Sequence, residues 1–338
     1  MSAGSARGDE PAAFGVDVGG TKLHGVAVAA DGRVIVETRA ATPPVGRQPA
    51  RPGIAIADAV VGIVEELQAA LVGGGARPPI GIGVPGMLDR HGVLVFSPNL
   101  PSAVGADFAG LLADRVSGAP PVLENDANCA ALAEHALGAA RGFDDVVVVT
   151  LGTGIGGGLV VGGRPLLGAQ GFAGEIGHMV VDPSGPLCPC GRRGCWERFA
   201  SGAGLANLAR EAAIGGRLPE VVSLAGGDPE AVRGEHVTGA ALAGDVDALG
   251  VLRELAWWVA FGLANLAAVL DPQRFVIGGG LAVGAGECLL GPARVAFDQL
   301  VEGGSLRAPV DIVMAELGER SGAVGAALAA RRQAVKDR

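Results

Sequence analysis

The sequence predicts an α/β protein of two lobes, each organised around the same strand–glycine turn–strand unit. Phe14–Val18 is a short apolar strand that ends in Asp17-Val18-Gly19-Gly20-Thr21, and a second strand follows from Leu23 to Ala29. Val146–Leu151, β-branched and apolar, ends in Gly152-Thr153-Gly154-Ile155-Gly156-Gly157-Gly158, and Leu159–Val161 follows as its partner. The same design occurs twice, which implies a duplicated fold whose halves face each other and supply two sets of phosphate contacts. At 338 residues and 49% hydrophobic content the chain has the length and the core for two domains.

In the first unit, Asp31-Gly32 marks a hairpin turn into a third strand, Val34–Thr38. Glycines at 19 and 20 let backbone N–H groups approach an anion, Thr21 adds a hydroxyl, and Asp17 suits a Mg2+ ion beside that anion. A plain hairpin with a Gly-Gly turn leaves the same trace. Pro43–Pro52 reads as a proline-rich loop and Ile54–Leu71 as an amphipathic helix. Within the strand Ile80–Val84, Gly81-x-Gly83-x-x-Gly86 matches the dinucleotide fingerprint in letters only, because Pro85 interrupts and no helix opens after it. The 152–158 turn leads into a strand and fails the same test, and no Walker A sequence is present.

Asn99, in the loop Ser97–Pro101, either offers an amide to a hydroxyl-rich ligand or caps a turn. Pro121–Leu123 reads as a strand running into Glu124-Asn125-Asp126-Ala127-Asn128, with a helix over Ala127–Leu137. Capping explains one residue there, Asn125 or Asp126, but not a Glu-Asn-Asp cluster. Later helices are expected over Gly204–Ala212, His236–Ala243 and Asp245–Leu270. The apolar run Ala256–Leu270 is shorter than the roughly 20 residues of a membrane span and is bounded by Glu254 and Asp271. Arg274–Ile277 reads as a strand whose Gly278-Gly279-Gly280 either lets a flat ring lie on the backbone or simply turns. Pro309–Ala315 is a last strand, and the alanine-rich helix Gly322–Ala334 is expected to pack across a domain boundary.

The stretch Gly171–Gly202 holds the densest chemistry. His178, Cys188, Cys190 and Cys195 fall in a His-x9-Cys-x-Cys-x4-Cys spacing, bracketed by Glu175 and Glu197. Three thiolates and an imidazole fill a tetrahedral Zn2+, so the site is read as structural. Cys129 and Cys288 are read as thiols without a role. A net charge of -9 argues against a nucleic-acid surface. Residues 1–12 are small and polar, without a signal peptide's apolar segment, and read as a disordered tail of a cytoplasmic protein with no membrane attachment.

Taken together, DVGGTK at 17–22, ENDAN at 124–128, LGTGIGGG at 151–158, GEIGH at 174–178, CPCGRRGCWE at 188–197 and IGGG at 277–280 resemble the ROK family of bacterial sugar kinases and related repressors, and most of all its glucokinases. The resemblance runs from Phe14 to Ala330. It implies the actin-like, hexokinase-type ATPase fold, with an interlobe cleft. The small lobe is expected over 13–124 with 317–338 returning, and the large, zinc-bearing lobe over 125–316. It further implies that Asp17, Gly19, Gly20, Thr21, Lys22, Gly152, Thr153 and Gly154 serve ATP and its Mg2+, with Gly279 and Gly280 near the adenosine. Asn99, Asn125, Asp126, Glu175, His178 and Glu197 would grip the sugar, with Asp126 as general base. Beside a helix N-terminus, Asp126 is expected to be ionised but only weakly basic in the ground state.

The expected reaction is ATP-dependent phosphorylation of the glucose 6-hydroxyl. An aromatic residue often found a few positions beyond the loop asparagine in the family's glucokinases is missing from Leu100–Gly105, which bears on the choice of sugar. Another hexose or an N-acetylhexosamine is therefore the nearest alternative. A sugar-responsive repressor is disfavoured, since only 16 residues precede Asp17, too few for a helix-turn-helix domain. Polyphosphate as donor is a third reading, although the two lysines, Lys22 and Lys336, offer no basic channel. The family also implies a homodimer or homotetramer.

Overall fold

The computed structural model describes residues 11–44, 51–71, 78–113, 115–116 and 119–336. Most of the tail read over 1–12 and of the loop read over Pro43–Pro52 lies outside the described residues. The chain divides into two compact units. Unit 1 takes the chain up to Arg141, the segment Pro165–Gly174 and the chain from Glu319, and unit 2 takes Gly142–Arg164 and Glu175–Gly318.

Unit 1 begins with an antiparallel meander, β1 (Ala13–Val18), β2 (Lys22–Val28) and β3 (Val34–Ala41). Helix α1 (Ile54–Ala70) follows, then β4 (Ile80–Val84) and the small hairpin β5 (Met87–Leu88) and β6 (Leu94–Phe96). Next come α2 (Phe108–Ala113), β7 (Val122–Asn125) and α3 (Asp126–Leu137). β4 lies parallel to β1 and β7 parallel to β4, giving the order β3-β2-β1-β4-β7. α1 buries Ile56, Val60, Ile63, Val64 and Leu67, a stripe at helical spacing, in a core with Phe14, Val16, Ile80 and Ile82. Each such side chain contributes about 1.5–3 kcal/mol of burial.

The C-terminal helix, Ser321–Lys336, packs on the β1–β4 pair at backbone distance. A Cβ at Gly15 would come within 1.9 Å of the Ala323 carbonyl oxygen, and one at Gly81 within 1.8 Å of that of Ala326. This explains the alanine-rich composition of the helix. A Cβ at Gly325 would in turn lie 1.7 Å from the Cys129 carbonyl oxygen, so α3 is pressed onto the same helix. That packing keeps α3 in unit 1, whereas the boundary expected from sequence falls before it, at residue 125. Gly325→Ala should therefore destabilise the protein by about 1–3 kcal/mol through overpacking, outweighing the roughly 1 kcal/mol gain in helix propensity. A urea midpoint unchanged or raised in Gly325→Ala would refute the close contact.

Unit 2 repeats the plan. β8 (Val146–Leu151), β9 (Ile155–Val161) and the short β10 (Arg164–Pro165) precede the zinc-type loop. Five helices follow: α4 (Glu197–Ala200), α5 (Gly202–Ile214), α6 (Pro219–Leu224), α7 (Gly234–Leu242) and α8 (Val246–Leu270). The unit closes with β11 (Arg274–Gly278), α9 (Gly280–Ala285), α10 (Glu287–Leu300) and β12 (Asp311–Met314). The sheet order β10-β9-β8-β11-β12 mirrors unit 1, an antiparallel hairpin next to two parallel strands. Asp245 caps α8 through its bond from the Ala248 N–H at 2.7 Å. Among the described residues no helix is long and apolar enough to cross a membrane.

Two expectations from sequence are corrected by the fold. Gly156, Gly157 and Gly158 are paired strand residues of β9, so the second turn is only Gly152–Gly154. α10 is absent from the sequence expectations, because Pro292 sits inside it and Gly286 and Gly291 blur its period. Its buried Leu289, Leu290, Ala293 and Phe297 still form one face.

Candidate active site

In unit 1 the parallel register aligns Asp17 with Gly83, and Gly83 with Glu124. The carboxylate of β1 and the start of α3 thus meet at the C-terminal ends of three adjacent strands. A Cβ at Gly83 would lie 3.3 Å from Cys129 Sγ, 3.5 Å from Asp17 Oδ1 and 3.6 Å from the Asp126 Cα, so this glycine borders both carboxylate residues. The glycines of the false dinucleotide fingerprint are now explained. Gly81 accepts the C-terminal helix, Gly83 faces the carboxylates, and Gly86 turns at φ 112 with the Phe96 carbonyl 2.2 Å from where a Cβ would sit. Behind Asp17, a Cβ at Gly322 would approach its carboxyl carbon to 2.6 Å, so the carboxylate sits against the first turn of the C-terminal helix. Sequence reasoning marks neither Gly83 nor Gly322 as part of the site.

Burial first, then the charge of Asp126, lift Asp17 to about 7, with Lys22 working the other way. Burial raises Asp126 to about 6, although its bond from the Ala127 N–H at 2.8 Å pulls down. The helix N-terminus is therefore outweighed by desolvation, and Asp126 is a stronger base than its position at the start of α3 alone implied. Asn125 is the cap: its Oδ1 accepts from the Ala127 and Asn128 N–H groups at 2.9 and 3.1 Å, and its Nδ2 donates to the Gly86 carbonyl at 3.0 Å. Glu124 holds the cluster from behind, accepting from the Asn125 N–H and Asn128 Nδ2 at 2.9 and 3.0 Å. Asn99 is exposed in a loop pinned by buried Ser97, which donates to the Pro85 carbonyl at 2.6 Å. Gly20 lies against it, a Cβ there falling 3.5 Å from the Asn99 carbonyl oxygen.

The two glycine turns share one hydrogen-bond plan. Gly19 N–H donates to the Lys22 carbonyl at 2.8 Å, and Gly152 N–H to that of Gly154 at 3.0 Å. The first N–H of each turn is thus spent within its hairpin, which leaves Gly20 and Thr21, and Thr153 and Gly154, as the anion-facing candidates. Lys22 was expected at the nucleotide, but its ammonium pairs with Glu319 at 2.9 Å on an exposed face. In unit 2, a Cβ at Gly279 (φ 89) would strike the Leu151 carbonyl at 2.4 Å, which brings the Gly279-Gly280 corner against the end of β8 and its turn. A concavity of about 770 Å³ bounded by Phe143, Asp271, Arg307 and Asp311 lies at the opposite ends of β11 and β12 and contains none of these residues.

The four sequence-predicted metal ligands come together in unit 2, their ligand atoms all within 4.8 Å of one another. Cys188 Sγ lies 3.7 Å from His178 Nδ1, and Cys190 Sγ 3.5 Å from Cys195 Sγ. Zn–S bonds of about 2.3 Å and Zn–N bonds of about 2.0 Å give tetrahedral edges of this size, so the donor set fits Zn2+. Burial and the crowding of neighbouring thiols push Cys195 up to about 12, and a cation would relieve that crowding. Arg192 donates to the His178 carbonyl at 3.0 Å, adding positive charge beside the thiol cluster. Burial, the larger effect, and Arg192 hold His178 below its ordinary value against the pull of Glu197, which favours the neutral imidazole a metal needs.

His178 Nε2 faces Glu175 Oε2 at 4.0 Å, on the side of the ring away from Cys188. The turn that carries His178 lies on β9, since a Cβ at Gly177 would fall 2.3 Å from the Ile155 carbonyl. Glu197 also reaches β9, accepting from the Ile155 N–H at 2.9 Å. The sugar residues expected from sequence are thus divided, with Asn99, Asn125 and Asp126 in unit 1 and Glu175, His178 and Glu197 in unit 2.

A duplicated sheet unit with glycine turns, a carboxylate pair and no Walker loop defines the class of actin-like, hexokinase-type ATPases. The chain belongs to the ROK family, whose model matches residues 13–333. It is 36% identical over 324 residues to a glucokinase of Streptomyces coelicolor, covering 94% of this chain and 97% of that protein. It is 36% identical over 273 residues to an N-acetylmannosamine kinase of Citrobacter koseri, covering 80% and 84%. Among solved structures it resembles a ROK family glucokinase from Streptomyces griseus in complex with glucose and AMPPNP. That match has TM-score 0.81 and 38% identity, covering 95% of this chain and 99% of the other.

Proposed function

We propose that the protein is an ATP-dependent glucokinase that phosphorylates glucose at its 6-hydroxyl. The observation that carries this reading is the pairing of Asp17 and Asp126 at the C-terminal ends of β1, β4 and β7, where burial raises Asp126 to about 6. A base of that strength keeps its anion at neutral pH and can accept a proton late in the reaction. The 6-hydroxyl oxygen attacks the γ-phosphorus, the bond from that phosphorus to the β–γ bridging oxygen breaks, ADP departs, and the hydroxyl proton passes to Asp126. Such transfer relies on positioning and charge neutralisation. Gly20, Thr21, Thr153 and Gly154 supply N–H groups to the phosphates, and Gly279-Gly280 offers a flat backbone to the adenosine. Asn99, the spare N–H of Asn125, Glu175, His178 and Glu197 hold the sugar hydroxyls.

Mg2+ would be held through Asp17 and would offset charge on the phosphates. Zinc at His178, Cys188, Cys190 and Cys195 would fix the loop that bears the sugar ligands. We place the protein in the cytoplasm as a homodimer or homotetramer that binds neither nucleic acid nor membrane. The decisive experiment is a panel of glucose, mannose, N-acetylglucosamine and N-acetylmannosamine against ATP, GTP and polyphosphate, with product identified by mass. Glucose with ATP should give the highest kcat/KM. A higher value with N-acetylmannosamine would transfer the assignment to that alternative, and tight operator binding without turnover would end the kinase reading.

A further inference from the structure

Glu197 occupies a position that a sugar ligand alone does not require. Its Oε2 accepts from the Ile155 N–H at 2.9 Å, the first backbone donor after the Gly152–Gly154 turn. A Cβ at Gly154 would lie 2.2 Å from the same oxygen, so the turn and the carboxylate are in direct contact. The turn is braced on its other side by α5, where the Gly202 N–H donates to the Gly152 carbonyl at 2.8 Å and the Ala203 N–H to that of Thr153 at 3.2 Å.

The residue before Glu197 gives it a rigid base. Trp196 is fully buried, its N–H donates to the Met179 carbonyl at 2.8 Å, and its indole donates to that of Trp258 at 2.7 Å. Gly262 makes room for that ring, since a Cβ there would fall 2.0 Å from it. Two residues upstream of Glu197 is Cys195, one of the four metal-cluster residues. One carboxylate therefore joins the metal loop to the glycine turn. The bond from Ile155 occupies Oε2, and a carboxylate has acceptor capacity to spare at Oε1.

We propose that Glu197 is a positioning residue that couples sugar to nucleotide. Oε2 holds the Gly152–Gly154 turn in its binding shape through the Ile155 N–H, while Oε1 takes a sugar hydroxyl. Sugar bound at Oε1 restrains the carboxylate, and the restrained carboxylate stiffens the turn, so the two ligands favour each other. Coupling of this kind is reciprocal: whatever factor sugar adds to nucleotide affinity, nucleotide adds to sugar affinity. This inference rests on the glucokinase reading, because it assigns the turn to phosphate and the loop to sugar.

The test measures binding without turnover, by calorimetry with AMPPNP and Mg2+ and, separately, with glucose. Glu197→Ala should weaken AMPPNP about ten-fold with no sugar present, a readout that a sugar ligand alone would not move. Glu197→Gln keeps an acceptor for the Ile155 N–H and should retain most of the sugar-free AMPPNP affinity. The reciprocal variant is Gly154→Ala, whose methyl group displaces the carboxylate and should weaken glucose binding several-fold with no nucleotide present. Amide exchange at Ile155 should speed up in Glu197→Ala, and zinc content equal to wild type shows that the loop is intact. Sugar-free AMPPNP affinity within two-fold of wild type in Glu197→Ala, or glucose affinity unchanged in Gly154→Ala, would overturn the coupling while leaving the kinase assignment standing. Wild-type protein that binds neither AMPPNP nor glucose would instead overturn the assignment, and the coupling with it.

Discussion

Asp126→Asn should lower kcat by about 10²–10⁴-fold and leave the folded protein at least as stable as wild type. Asparagine keeps the Oδ1 acceptor for the Ala127 N–H, so the head of α3 remains capped and bonded as before. What it cannot do is take the hydroxyl proton. The pH dependence follows from the same environment. Burial raises Asp126 to about 6, so the base is lost to protonation as pH falls through that value, and kcat should fall with it. Stability runs the opposite way. Asp126 and Asp17 both hold their protons more tightly folded than unfolded, so their contribution is fully present below the ordinary carboxylate range and is lost as pH rises through about 6 and 7.

At pH 8 without Mg2+, Asp126→Asn should therefore be more stable than wild type by on the order of 1–3 kcal/mol. Each ten-fold gain in proton affinity on folding corresponds to about 1.4 kcal/mol, and solvent reaching the site reduces the total. The gap should close toward pH 4. Urea titrations of both proteins at pH 4 and 8, beside single-turnover rates, check the two halves separately. A variant within ten-fold of wild-type kcat would remove Asp126 from the proton transfer, and an equal stability difference at both pH values would remove the burial penalty on its carboxylate.

The fold was legible from sequence where one residue class sets one element. The runs Phe14–Val18 and Val146–Leu151, each closed by a glycine turn, mark β1 and β8 because central strands buried on both faces read as unbroken apolar runs. The two sheets then share one strand order, as the duplication implied. The metal cluster was legible because thiol spacing is local. The Asp17–Asp126 pair was less so, since only the parallel register of β1, β4 and β7 brings those residues together. Gly322 and Gly325 were silent for a related reason. Their role is the absence of a side chain where another segment passes, and that segment is distant in sequence. From sequence Glu197 is a sugar ligand alone, and nothing local announces that its oxygen meets the N–H of Ile155.

Removing the metal should disable the sugar half of the reaction before the fold. Cys190→Ala takes one sulfur from a cluster whose donor atoms lie within 4.8 Å of one another, and three donors should no longer retain zinc. Beside the metal, the loop around Cys190 is held by hydrogen bonds alone: the Gly191 N–H bonds the Cys188 carbonyl at 2.9 Å, the Cys188 N–H that of Arg192 at 2.8 Å, the Val181 N–H that of Gly194 at 2.8 Å, and the Arg192 guanidinium that of His178 at 3.0 Å. Outside it, Trp196 remains buried on α8, so the C-terminal flank should hold while His178 and Glu175 lose their fixed orientation. Structural zinc contributes about 10–16 kcal/mol in small peptides, far more than a few loop hydrogen bonds replace. The sugar KM should therefore rise about ten-fold or more, or activity vanish. AMPPNP binding should persist, because Glu197 stays on its Trp196 base with its bond from the Ile155 N–H and the turn keeps its bonds from Gly202 and Ala203. Metal analysis of the purified variant, glucose kinetics and AMPPNP calorimetry give three independent readouts. A zinc-free Cys190→Ala protein with wild-type glucose kinetics would show that the metal does not shape the sugar site.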